Sequence, residues 1–339
     1  MNNDAQDGIR LSPLEEQRAR DLHDRSVVIF AHDHLWRWQD LEAMREGGVT
    51  AKTVKLTVDG IEWLPTGHRV KIPEFEGWTR RALVALDSVY RLAEEHPNEV
   101  VIARTTSDIA DAKRDGKIAL VIGCEGSRPL EGSLEVLRSL HRLGLREMQL
   151  TWASPNQLIT DDGLNDFGRE VVREMNRLGI LIDLSHLRDP SYFQTLELSA
   201  APLIVSHNAC RSLTNYGDTL SDEKIAALAE KGGVLALHFV SGDYIKPRHG
   251  TPTAVMDDLI DHVDHIRQLV GVEHVALGGD YFLAAPEERW AWVKEVESPR
   301  LMLNVTRGLI TRGYAEAEIQ GILGGNLLDL YERVWRTAA

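Results

Sequence analysis

The feature that most constrains this chain is a recurrence. Eight apolar runs rich in β-branched residues are spaced along it: "VVIFA" (27–31), "TAKTVKLTV" (50–58), "IALVIGC" (118–124), "REMQLTW" (146–152), "ILIDLS" (180–185), "PLIVS" (202–206), "GVLALHFV" (233–240) and "HVALGG" (274–279). Most are continuous rather than alternating, the pattern of parallel strands covered on both faces. Helical periods fill the gaps. In "DFGREVVREMNRLG" the residues Phe167, Val171, Met175 and Leu178 share one face and Gly179 supplies a stop. "SDEKIAALAEKGG" opens on a Ser–Asp cap and closes on glycine, and "TAVMDDLIDHVDHIRQLVG" is a longer amphipathic segment. Eight strand–helix units in 339 residues predict an α/β fold, a (β/α)8 TIM-type barrel. No Pro/Gly/Ser linker divides the chain, so 1–339 is expected to be a single domain. Within it, 1–25 reads as a polar N-terminal extension. The connection 59–81, which carries Trp63 and Trp78, reads as a loop over the barrel mouth.

Composition sets the partners. With 43% hydrophobic and 27% charged residues, the chain can bury a sizeable core and stay soluble. A formal net charge of −14, spread without an acidic block, argues against nucleic acid or an anionic membrane as the main partner. A small-molecule substrate is the expectation that remains. The first 26 residues lack the apolar segment of a signal peptide, and no later run approaches a membrane span. Cys124 and Cys210 are too few for a disulfide framework. The expected compartment is the cytoplasm.

With the strands placed, ionisable residues fall at their C-terminal ends. Strand one is followed by His32 and His34, strand three by Glu125, strand five by His186, strand six by His207 and strand eight by Asp280; strand seven carries His238 near its end. A barrel brings these ends together at one face, where active sites of this architecture lie. Imidazoles and carboxylates suit one or two divalent ions, Zn²⁺ foremost, with Mn²⁺, Fe²⁺ or Co²⁺ compatible. His32 and His34 share one face of an extended strand and reach one ion. A glutamate between two ions can bridge them, and Asp280 is placed to take a proton from the attacking water. Each residue also has a plainer reading. A strand-end histidine is often structural, Asp280 could cap the next element, and Glu125 could pair with Arg128. The plainer account needs a separate reason for every residue, whereas one metal centre explains the set. His238, inside an apolar run, reads equally as substrate-facing or as a satisfied core residue. Asp33 is expected to point away from the ions and orient the strand or a ligand histidine, and the two cysteines to be small buried hydrophobes.

Several stretches, in order, carry a resemblance: "GCEGS" (123–127), "GLREMQLTW" (144–152), "GLNDFGREVVREMNRLGILIDLSH" (163–186), "PLIVSHNACRSL" (202–213), "DHVDHIRQLVGVEHVALGGD" (261–280) and "LGGNLLDLYERV" (323–334). They resemble the membrane (renal) dipeptidase family, peptidase family M19 of the amidohydrolase superfamily, with 35–115 matching only loosely. The resemblance implies a hydrolase with a binuclear, usually zinc, centre in a (β/α)8 barrel, and a homodimer. By position, Glu125 resembles the bridging carboxylate, and His186 and His207 the ligands of one ion. His32 resembles the first ligand of the other ion, and Asp280 the acid placed for proton transfer.

The departures from that family are informative. Its first-strand motif is His-x-Asp, whereas this chain has His32-Asp33-His34, so one anionic ligand becomes neutral. A substrate-touching histidine after strand four is replaced by Trp152. The Arg-Asn pair whose arginine grips the dipeptide carboxylate is replaced by Asp218 and Thr219, and Asp-Phe-Asp-Gly becomes Asp280-Tyr281-Phe282-Leu283. A carboxylate that loses its arginine forfeits a contact of about 1.5–3 kcal/mol, and an aspartate there adds repulsion. The expectation is a metal-dependent hydrolase of an amide or related C–N bond that is not a standard dipeptide. Trp152, Asp218, Thr219 and His238 would form its substrate-binding side, and Trp36 and Trp63 near the mouth would suit a flat or cationic group. The alternatives are a true zinc dipeptidase that uses another cation such as Arg211 or Lys55, a non-hydrolytic di-metal iron enzyme, and a catalytically silent ligand-binding barrel.

Overall fold

The computed structural model describes residues 9–34, 38–63, 69–71, 76–152, 156–282 and 290–335. All eight apolar runs are strands of one parallel barrel: β1 (Ile29–Asp33), β2 (Ala51–Val58), β3 (Ile118–Glu125), β4 (Leu145–Gln149), β5 (Leu181–Asp183), β6 (Ile204–Asn208), β7 (Val234–His238) and β8 (Val275–Gly279). Each pairs in parallel with the next, and β8 returns to β1 through Phe30–Leu277 and His32–Gly279, which closes the ring. The closure explains the continuous apolar runs. Outward residues such as Val54, Leu120 and Val205 pack under the helices, while Ile29, Ala31, Ala51, Ala119, Val121 and Ala276 fill the interior.

The helices follow their sequence signals. The helix Asp166–Leu178 is capped by Asn165, whose side chain accepts from the Gly168 N–H, and it ends at Gly179 with φ 68°. Ser221 caps Asp222–Glu230 in the same way, and Met256–Leu269 buries Leu259, Val263 and Ile266. The helix Asn326–Trp335 plugs the N-terminal end of the barrel, with Leu327, Leu330 and Tyr331 joining the interior cluster. Among the described residues no helix is long and apolar enough to cross a membrane.

Three features add to the expectation or differ from it. Within the polar N-terminal extension, residues 13–25 are helical. The helix opens on a Ser12–Glu15 capping box, and Ala19, Leu22 and His23 are buried. A four-residue strand, Val100–Ala103, pairs alongside the start of β3 outside the ring. In the 59–81 connection, Ile61–Trp63 and Arg69–Lys71 form an antiparallel hairpin that prolongs β2, and Ile61 and Lys71 do line the mouth. Trp78 does not. It begins the helix Trp78–Glu95, is 1% exposed, and lies beneath Arg81 and Arg128. Residues 64–68 and 72–75, Trp36, Leu283 and the side chain of Trp63 lie outside the described residues.

Candidate metal centre and active site

The strand ends bring His32, His34, Glu125, His186, His207 and Asp280 to one place. His32 Nε2 and His34 Nε2 stand 3.2 Å apart, and each faces Glu125 Oε2, at 3.4 and 3.2 Å. Across the glutamate, His207 Nε2 and His186 Nε2 are 3.0 Å apart and face Oε1 at 3.7 and 3.4 Å. Asp280 Oδ1 lies 3.2 Å from His34 Nε2 and 3.7 Å from His32 Nε2. Glu125 is thus flanked by two histidines on each side. The ligand atoms of His32, Glu125 and His207, and those of His32, His34 and Asp280, form two triplets within 4.8 Å that share His32.

Local backbone irregularity aims these groups. The ladder shifts register between Phe30 and Asp33 on β1, between Val205 and Asn208 on β6, and between Leu237 and His238 where β7 meets β8. Such bulges turn side chains away from simple alternation. His186 and Asp280 occupy the left-handed region, at φ 63° and 57°. Non-glycine residues adopt it at a cost, and such outliers cluster at functional sites.

The electrostatics call for positive charge. Burial opposes a charged His34, yet Asp280 and Glu125 outweigh it and push its pKa up to about 10. His186 is likewise pushed up to about 10 by Asp218 and Glu125 against burial. His32 goes the other way, to about 3, through burial and the Lys55 ammonium. Glu125 Oε2 and Asp280 Oδ1 are buried, and among the described residues neither has a well-aligned hydrogen-bond donor, His34 Nε2 facing both at 3.2 Å. Nitrogen and oxygen lone pairs that converge at these distances, two of them on these carboxylate oxygens, fit a divalent cation.

The remaining expected residues divide. Trp152 is half-buried, with its ring 6.4 Å from that of His186. Asp218 Oδ2 accepts from Tyr244 Oη at 2.8 Å and pairs with His186 Nδ1 at 3.2 Å, so it backs a histidine as well as facing the cavity. Thr219 is buried beside the cavity rather than lining it, and its hydroxyl donates to the Tyr216 carbonyl. His238 Nδ1 accepts from the Val240 N–H, so its proton is on Nε2, which donates to Asp280 Oδ2 at 3.0 Å. Asp33 turns away toward Lys52, at 3.5 Å. The cavity above the cluster holds about 700 Å³ and is also lined by Tyr216, Asp243, Phe282 and Trp290.

Beneath the cluster lies a polar layer inside the barrel. Lys55 Nζ contacts Glu147 and, at 3.4 Å, Asp183 Oδ2; Asp183 in turn contacts Ser185 and Ser206. Burial raises Glu147 to about 7 despite the lysine. Sequence reasoning did not single out Asp183 or Ser206, although they lie in the same "DLSH" and "VSHN" stretches as His186 and His207. Tyr244 had no signal, since it sits in an irregular segment after β7.

The barrel and the histidine–carboxylate cluster at its mouth form a candidate metal centre on a (β/α)8 fold. The model of the membrane dipeptidase family, peptidase family M19, matches residues 16–339, and the chain belongs to that family. Mouse dipeptidase 3 is 34% identical over 267 residues, covering 75% of this chain and 52% of the mouse protein. The chain therefore spans about half the length of that relative. An uncharacterized dipeptidase of Schizosaccharomyces pombe is 34% identical over 356 residues, covering 95% of this chain and 83% of the yeast protein. Among solved structures, the probable dipeptidase PvdM from Pseudomonas aeruginosa superimposes with a TM-score of 0.85 at 20% identity, covering 97% of this chain and all of that one.

Proposed function

We propose that the chain hydrolyses an amide or related C–N bond in a small substrate whose end over Trp152 and Asp218 is cationic or neutral, not the free carboxylate of a standard dipeptide. In this reading His32, His34, Glu125, His186 and His207 hold one or two divalent ions, zinc first, with Glu125 between them. Ions held there would polarise the scissile carbonyl and make the attacking water more acidic. The chain's own groups carry the proton. The His238 Nε2–H holds Asp280 Oδ2 at 3.0 Å, which leaves Oδ1 turned toward the cluster. Oδ1 takes a proton from water as the C–O bond forms, and returns it to the nitrogen as the C–N bond breaks.

The observation that supports the selectivity is the carboxylate of Asp218 at the cavity wall, at the position that by resemblance corresponds to the family's carboxylate-gripping arginine. Asp243 lines the same cavity, and Trp152, Tyr216 and Tyr244 supply aromatic faces suited to a cation. The test is a competition of kcat/KM between Ala-Ala-type dipeptides and their C-terminal amides or amine analogues. Amides or amines should win; a tenfold preference for the free dipeptides would refute the reading.

A second reading, a true dipeptidase, is favoured by one observation: Lys71 lines the same cavity. The other cations considered are engaged elsewhere, Lys55 by Glu147 and Asp183 and Arg211 by the Gly217 carbonyl. If free dipeptides are preferred, Lys71→Ala should raise their KM at least tenfold.

A further inference from the structure

We infer that Ser206 is a positioning residue that fixes the tautomers of His32 and His207 together, so that one hydroxyl readies a ligand on each side of Glu125. The inference rests on the reading of these histidines as metal ligands. Ser206 Oγ stands 3.0 Å from His32 Nδ1, 3.0 Å from His207 Nδ1 and 2.5 Å from Asp183 Oδ2. The hydroxyl has a single proton and two lone pairs.

Asp183 decides where the proton goes. Its Oδ1 accepts from Ser185 N–H at 3.0 Å, Ser185 Oγ at 2.7 Å and Ser206 N–H at 3.1 Å, and its Oδ2 faces Lys55 Nζ at 3.4 Å. A carboxylate surrounded by donors and an ammonium can only accept. The Ser206 proton therefore lies on the short contact to Oδ2, and the two lone pairs accept from the imidazoles. Both histidines then carry their proton on Nδ1, and both present a bare Nε2. Those nitrogens are the atoms that face Glu125, His32 toward Oε2 and His207 toward Oε1. Ser206, Asp183, His32 and His207 are all at most 2% exposed, so water does not replace the serine. Partners behind a metal-binding imidazole usually set its orientation and basicity, and their loss costs about 10–100-fold in metal affinity. Here the arrangement is shared, which links the two sides of the centre through one oxygen.

The test begins with the wild-type protein stripped of metal. Histidine-ring ¹⁵N NMR at neutral pH should show His32 and His207 as Nδ1–H tautomers; an Nε2–H tautomer at either would overturn the inference without any variant. Ser206→Ala should scramble both tautomers and weaken Zn²⁺ binding, measured by competition with a chelating dye, by roughly 10–100-fold at each site occupied. Ser206→Thr, which keeps the hydroxyl, should restore both readouts. Ser206→Ala with unchanged tautomers and zinc affinity within threefold of wild type would overturn the serine's role. Wild-type protein that binds no zinc would instead overturn the reading of the cluster as a metal centre, a distinguishable failure.

Discussion

In the proposed reading Asp218 is where recognition and metal binding meet, and its removal gives the most informative perturbation. Its Oδ2 serves two groups at once, His186 Nδ1 at 3.2 Å and Tyr244 Oη at 2.8 Å. With Nδ1 engaged by Asp218, Nε2 of His186 is the atom turned toward Glu125, and an ion bound there would take the place of its proton. A charge-assisted hydrogen bond contributes about 1.5–3 kcal/mol. The Asp218 side chain is 38% exposed, so screening puts this bond at the lower end, about 1.5 kcal/mol, or roughly tenfold in affinity. Asp218→Ala loses both the bond and the charge and should weaken Zn²⁺ binding about tenfold. Asp218→Asn keeps an oxygen acceptor and loses only the charge, so about two- to threefold is expected. Tyr244→Phe leaves the His186 contact intact and should bind nearly as wild type. The assay is zinc competition against a chelating dye on metal-free protein, with melting curves to show that each variant is folded. An Asp218→Ala protein that binds zinc within twofold of wild type would refute the reasoning, because the carboxylate would then do nothing for His186.

Three further outcomes are expected. Asp280→Asn keeps an acceptor for His238 but cannot take a proton, so turnover should drop about 10²–10⁴-fold with metal content nearly intact; parallel loss of metal and turnover would make Asp280 chiefly a ligand. His262 is buried, and burial pushes its pKa to about 3, while its Nδ1 accepts from the Cys210 N–H at 3.0 Å. Because the folded pKa lies below the ordinary 6.5, the unfolded chain binds the extra proton and stability falls as pH drops from about 6.5 toward 3, by at most about 4–5 kcal/mol. Urea unfolding of His262→Gln, which keeps an acceptor, should show a shallower slope over that window, and identical slopes would count against it. Gly278→Ala puts a Cβ 2.8 Å from the Leu237 and Ser206 carbonyl oxygens, so β6 and β7 must move; a loss of about 1–3 kcal/mol should appear as a lower Tm in calorimetry.

The barrel was legible in the sequence because two-sided burial writes each strand as an unbroken apolar run. What escaped was too short or too thinly patterned. Val100–Ala103 offers four residues, and the helix Pro13–Arg25 turns only Ala19, Leu22 and His23 inward from an otherwise polar surface. The strand-end histidines and carboxylates were legible because a closed barrel leaves their backbones one place to go. Their supporting groups were not. Lys55 sits in a strand that otherwise reads as core, and its role depends on Glu147 and Asp183 from two other strands. Asp218 was read only as a wall of the cavity, since its contact with His186 comes from a turn whose path no periodicity encodes. Thr219, its neighbour, faces that turn instead.

The seam between β1 and β8 sets a timetable for the whole molecule. His32 pairs across it with Gly279, and the Asp280 N–H donates to the His32 carbonyl at 3.0 Å, although the two residues lie about 250 positions apart. A ribosome must therefore release the eighth strand before the first acquires its second neighbour, and until then the outer edges of both are bare and able to pair with the wrong partner. The cluster at the mouth straddles that same join. A cation offered early finds only scattered, mobile side chains; offered late, it finds a finished cup. An ion held by the proposed ligands would thus act as a latch on a closed ring rather than as the seed around which the ring forms.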